Sequence, residues 1–218
     1  TVMEKLKDNP DTRHIPVHFM SGSNHRLDAK KMGAIGYLLK PVNMPELSEA
    51  FKKIEQFIAK TVKTLLVVAA DETTPQILDL VSSDNIQPTL ATTKTEALAR
   101  LQTTEFDCII LDLNLEQNTG IELLEPLHNE DHFSQIPVVL YANRELTQPE
   151  ENLLQHYESS LTVKTVRSPE RLLDEATLFL HQVEANLPKE KRQMLQMVHD
   201  KNAILANKAI VDLEKISN

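Results

Sequence analysis

Asp112 closes the apolar run Asp107–Leu113 (DCIILDL) and opens the polar segment 114–120 (NLEQNTG). A lone carboxylate where a buried strand meets a loop is well placed for chemistry, because open α/β sheets bind ligands outside the carboxyl ends of their strands. Taken singly, the simpler reading is a cap: an aspartate that hydrogen-bonds the loop after its own strand. Other strand ends carry polar groups too. Ser21 closes the run 15–21 (IPVHFMS), Lys40 closes 34–40 (AIGYLLK) and is followed by Pro41, and Lys164 closes 161–164 (LTVK). Asp71 and Glu72 follow the run 63–69 (KTLLVVA).

The chain that positions these groups repeats itself. Ile15-Pro16-Val17-His18-Phe19-Met20-Ser21 returns as Ile136-Pro137-Val138-Val139-Leu140-Tyr141-Ala142, about one small domain later. Each copy is followed by a helical stretch, a second short strand and a helix start. Asn43-Met44-Pro45-Glu46 reads as a capping box, and Ser168-Pro169-Glu170 as an N-cap with proline at the first helical position. Between the copies, the β-branched run 63–69 predicts a buried parallel strand and Thr74–Ser82 its helix. A strand near Pro88–Ala91, a helix from Thr93 through Leu101, the Asp112 strand and a helix over Ile121–His128 come next.

Strict alternation of strand and helix from Lys63 to Asn186 predicts a doubly wound α/β domain around a five-stranded parallel sheet. Residues 1–62 supply only the second half of such a unit, so a two-stranded remnant would leave a sheet edge and an apolar face uncovered. The expectation is an excised piece of a longer protein, or exchange with another chain. Residues 187–218, rich in Lys, Gln, Met and Glu, read as a helical linker, with apolar spacing over Ala203–Ser217 suited to a continued helix or coiled coil.

Composition narrows the function classes. Apolar residues make up 41%, enough for a core, and a net charge of −9 argues against a nucleic-acid-binding surface. No run approaches a membrane span, so no membrane contact is expected. The single cysteine, Cys108, excludes an intrachain disulfide and suits a reducing, cytoplasmic setting. His14, His18 and His25 straddle one strand without the spacing of a zinc site, and His181 and His199 read as surface or interface residues.

The segment Asp112-x-x-Leu115-x-x-x-x-Gly120 resembles the phosphoacceptor segment of response-regulator receiver domains, and the likeness extends over residues 63–186. That resemblance implies a flavodoxin-like fold, Asp112 as candidate phosphoacceptor and Lys164 as the lysine that binds a phosphoryl oxygen. It also implies Asp71, Asp112 and the backbone of Asn114 as weak candidates for Mg²⁺, a hard ion that prefers oxygen ligands. The same likeness marks losses: the acid pair that should hold Mg²⁺ falls on Ala69-Ala70, and the hydroxyl position falls on Ala142. Methyl groups neither coordinate Mg²⁺ nor donate hydrogen bonds, so the expectation is weak Mg²⁺ binding and slow or absent phosphorylation. In 1–62, Ser21 stands at the hydroxyl position, Lys40-Pro41 at the lysine position and Tyr37 at an aromatic position of the family. Tandem receivers of this kind look like the receiver region of hybrid sensor histidine kinases. They imply a histidine kinase or histidine phosphotransfer domain and neighbouring receivers as partners, and could pair two copies of the chain. The alternative is a non-enzymatic pseudoreceiver acting as an interaction spacer.

Overall fold

A computed structural model describes residues 2–114 and 119–200, in which strands and helices alternate throughout. The N-terminal unit runs α1 (Val2–Asp8), β1 (His18–Ser21), α2 (Arg26–Lys31), β2 (Gly36–Leu39) and α3 (Met44–Ala59). Asn9 forms the turn after α1, its side chain accepting from the Asp11 amide at 3.0 Å. The expected capping box starts α3: Asn43 Oδ1 accepts from the Glu46 amide at 2.9 Å, and Glu46 accepts from the Asn43 amide at 3.3 Å. β1 and β2 pair in parallel as a separate two-stranded sheet. Residues 44, 47, 51, 54 and 58 form an apolar stripe on α3, and Met44, Phe51 and Ile58 stay largely in solvent.

The second unit continues with β3 (Lys63–Val68), α4 (Thr74–Val81), β4 (Ile86–Ala91), α5 (Lys94–Thr103), β5 (Cys108–Asp112), α6 (Thr119–Glu122), α7 (Leu124–Asn129), β6 (Val138–Tyr141), α8 (Gln148–Glu158), β7 (Val163–Val166) and α9 (Pro169–Phe179). Its five strands are parallel in the order β4-β3-β5-β6-β7, the doubly wound arrangement that the alternation predicted. β3 and β5 are buried on both faces, which is why they read as unbroken apolar runs. Leu66, Ile109, Leu111 and Leu140 pack against α5, α7 and α8, while Leu65, Val67, Ile110 and Val139 pack against α4 and α9. Full burial of each such side chain contributes about 1.5–3 kcal/mol.

Two expectations change. The helix expected over Ile121–His128 breaks into α6 and α7, because Pro126 cannot donate to the Glu122 carbonyl and its ring crowds that group. Residues 189–200 are helical, as expected, but do not stand off as a linker. Leu187 and Leu195 are buried on Leu173 of α9. Residues 203–217 lie outside the described residues.

Buried polar contacts fasten the N-terminal unit to the second one. Arg13 donates to the Asp174 carboxylate at 2.8 Å and to its carbonyl at 3.1 Å, and His199 lies 3.3 Å from the same carboxylate. His181, in the left-handed region at φ 50°, directs its Nδ1 to the His14 carbonyl at 3.3 Å and its ring edge onto Phe57. His181 and His199 are therefore interface residues. Burial, followed by the cations of Lys7 and Lys63, pushes the His181 imidazole down to about 3. A base with a depressed folded-state pKa contributes its stability above the unfolded value near 6.5 and loses it as pH falls towards 3. Stability should therefore fall more steeply from pH 6.5 to 4 in the parent chain than in His181→Asn, which tolerates the same backbone. Urea midpoints across that range would check the difference in slope.

Candidate functional site

Asp112 ends β5 opposite Tyr141 and has no exposed surface. Both of its carboxylate oxygens accept hydrogen bonds from neighbours. Oδ1 accepts from the Asn114 amide at 2.9 Å and from Asn114 Nδ2 at 2.7 Å, while Oδ2 accepts from the Thr73 hydroxyl at 2.6 Å. Thr73 sits in the turn between β3 and α4, held there by its amide donating to the Ala70 carbonyl at 3.0 Å. Gly120 closes the segment from the other side: a Cβ there would come within 2.8 Å of the Asp112 carbonyl. Asp112 thus takes the capping geometry as well as the strand-end position.

The loop after β6 adds a cation. Arg144 donates to both Glu150 oxygens, at 2.8 and 2.6 Å, and to the Leu113 carbonyl at 3.3 Å. Glu150 also accepts from the amide and hydroxyl of Thr147, at 2.7 and 2.9 Å. Arg144 first, with those Thr147 bonds, holds the Glu150 carboxyl down to about 2. The Glu150 bond, reinforced by the field of Asp112, raises Arg144 in turn. Burial, then Asp112 and Glu170, raises the Tyr141 phenol. Thr73 and Arg144 were not singled out in the sequence. The signal for Thr73 was its hydroxyl in the turn after β3; for Arg144, the Thr147–Glu150 capping-box spacing beside it.

The sequence-predicted residues scatter around this centre. Asp71 and Glu72 are exposed in the turn after β3, and Ala69 and Ala142 are buried at the strand ends. Among the described residues, no three histidine, cysteine or carboxylate side chains gather to hold a metal. With methyl groups at Ala69 and Ala70 beside the hydrogen-bonded Asp112, the donor set does not fit Mg²⁺.

Lys164 lies apart from Asp112's hydrogen-bond partners. It pairs with Val139, within β7 rather than beyond it, and its amine lies 3.7 Å from Glu175. β1 and β2 show the register that the lysine position requires: Met20 opposes Leu38, and Lys40-Pro41 follow. In the second sheet Tyr141 opposes Val166, and Ser168 stands two residues on. The Ser168 hydroxyl caps α9 by accepting from the Arg171 amide at 3.4 Å.

Ser21 and Lys40 do meet at the carboxyl ends of β1 and β2, where the Lys40 amide donates to the Ser21 carbonyl at 2.8 Å. Ser21 Oγ accepts from the Ser23 amide at 3.3 Å, a turn-forming contact. Tyr37 donates its hydroxyl to the Ser23 carbonyl and accepts from the His25 amide, with its ring stacked on Phe19. The Lys40 side chain is exposed.

Known proteins are similar to parts of this chain. The chain is 41% identical over 49 residues to a probable cyclic di-GMP phosphodiesterase from Vibrio cholerae, a match covering 21% of the chain and 11% of that relative. Among solved structures, a sensor histidine kinase receiver domain from Pseudomonas aeruginosa, described with magnesium in its active-site cleft, is 15% identical. That likeness covers 56% of this chain and 99% of the other, at a TM-score of 0.46. The signal receiver domain of a histidine kinase from Syntrophus aciditrophicus is 17% identical over 55% of this chain and 90% of its own, at 0.47. The family model for the response regulator receiver domain matches residues 65–177, more than half of the chain. Five parallel strands in doubly wound order, an aspartate at the end of the central strand and this match together place the chain in the response regulator receiver domain family.

Proposed function

We propose that residues 63–186 form a pseudoreceiver in the receiver region of a hybrid sensor histidine kinase, contributing contacts to a two-component phosphorelay rather than phosphoryl transfer. The observation that carries this reading is the Asp112 carboxylate. Its oxygens are bound by Thr73 and Asn114, and no acid pair stands beside it. Phosphoryl transfer depends on cations that neutralise the transferred group. Ala69-Ala70 and Ala142 supply neither the metal ligands nor the hydroxyl at the family positions. Receivers exchange phosphoryl groups with histidine kinases or histidine phosphotransfer proteins; on this reading such proteins are docking partners here.

Residues 1–62 are, in the same proposal, the C-terminal half of a neighbouring receiver whose site would include Ser21 and Lys40. Their support is the shared strand–helix–strand–helix order, with a capping residue, Asn43 or Ser168, opening the last helix of each. The exposed stripe on α3 also fits a unit completed by further strands, since its counterpart α9 is buried against β3 and β5.

The test is reconstruction. Combining Ala70→Asp and Ala142→Thr should confer Mg²⁺-dependent labelling by acetyl phosphate that Asp112→Asn abolishes. Labelling of the unaltered chain to the same extent would contradict the proposal.

A further inference from the structure

A second recess lies away from Asp112, where the N-terminal unit meets the loop before β6. This cleft, of about 640 Å³, opens between α2, β2 and α3. Its volume falls in the range that small-molecule sites occupy. Arg26 and Lys30 enter from α2, Lys53 from α3 and His18 from β1. Glycine at 36 is what admits His18, since a Cβ at that position would overlap the His18 ring.

The cations are not neutralised by the protein. Glu46 and Glu49 also border the cleft, yet among the described residues neither comes within ion-pair distance of Arg26, Lys30 or Lys53. Glu46 is committed to the α3 cap. Arg26 and Lys30 instead converge on a neutral acceptor, the Gln135 side-chain carbonyl of the second unit, Arg26 at 2.9 Å. Burial, then the charges of Arg26 and Lys53, pushes the Lys30 amine down to about 8, and burial with Lys53 lowers His18. Like charges held together in a half-buried recess, in a chain of net charge −9, mark a place where an anion would relieve repulsion.

We infer that this cleft binds a small molecule bearing two or more phosphates, held by Arg26, Lys30 and Lys53 with Gln135 as a wall from the second unit. Recession between three elements favours a small ligand over an acidic protein surface, and three cationic side chains suit a di- or triphosphate better than a single carboxylate. The site is independent of Asp112 and of its phosphorylation.

Calorimetric titration of the full chain with pyrophosphate and, separately, with GTP tests the assignment. Both should bind, with affinity falling at least tenfold in Lys53→Gln; Lys53 is exposed and makes no ion pair, so the unliganded melting temperature should not move. The His18 ring, followed by NMR, should titrate at higher pH when pyrophosphate is present. Tighter binding of GTP than pyrophosphate would support the site and add a base contact. No heat with either compound, or binding that Lys53→Gln leaves intact with His18 unmoved, would overturn it. Binding of poly-glutamate without a response to either phosphate compound would overturn it too, in favour of an acidic protein partner.

Discussion

Replacing Arg13 by alanine is expected to lower the unfolding free energy by about 3 kcal/mol, the lower end of the cost of removing one partner from a buried ion pair. Arg13 and Asp174 are both almost fully buried, and the guanidinium also faces His199 at 3.4 Å. Without it, the Asp174 carboxylate keeps His199 at 3.3 Å and a long contact to Arg171 at 3.9 Å. The loss should be felt locally first, because Arg13 joins the N-terminal unit, α9 and the helix over 189–200. Urea unfolding of Arg13→Ala, Asp174→Ala and the double variant would measure the coupling between them, expected to exceed about 1 kcal/mol. Additive effects within about 0.5 kcal/mol would mean that apolar packing, such as Leu195 on Leu173, holds the junction alone.

Asp112→Ala should destabilise the second unit by about 2 kcal/mol, the order expected when buried donors lose their acceptor. The sign is informative. In a pocket crowded with carboxylates, removing one relieves repulsion and stabilises the fold. Here the neighbours are Ala69 and Ala70, and three donors from Thr73 and Asn114 would lose their acceptor. Asp112→Asn should cost less, since the amide oxygen still accepts from Asn114 and the Thr73 hydroxyl can turn towards the Ala70 carbonyl, 3.2 Å away. Equilibrium unfolding of both variants at neutral pH would check the order, and a stabilised Asp112→Ala would mean that the acid-crowded pocket survives.

Local chemistry made much of this fold legible. The runs around Leu65–Val68 and Cys108–Leu111 are apolar because both faces of those strands are covered, and the caps at Asn43, Thr93 and Ser168 mark helix starts through side chains that reach only three residues. The place of Lys164 within β7 was not legible, because periodicity says that a short strand exists but not how it is registered. A parallel register depends on the neighbouring strand and on packing, and the run VKTV has no internal marker. Thr73 was hidden for another reason, as its partner Asp112 is distant in sequence and joins it only once β3 and β5 pair. Lysine- and glutamine-rich composition disguised the docked helix over 189–200, whose contact rests on few residues, chiefly Leu195 and Val198.

Intact mass of the unaltered chain after treatment with acetyl phosphate and Mg²⁺, beside Asp112→Asn, tests the central claim most directly. An Asp112 carboxylate bonded to Thr73 and Asn114, with alanines at 69 and 70 in place of an acid pair, predicts identical masses before and after treatment in both proteins. A gain of one phosphoryl group in the unaltered chain, absent from Asp112→Asn, would contradict it and make the second unit a working receiver.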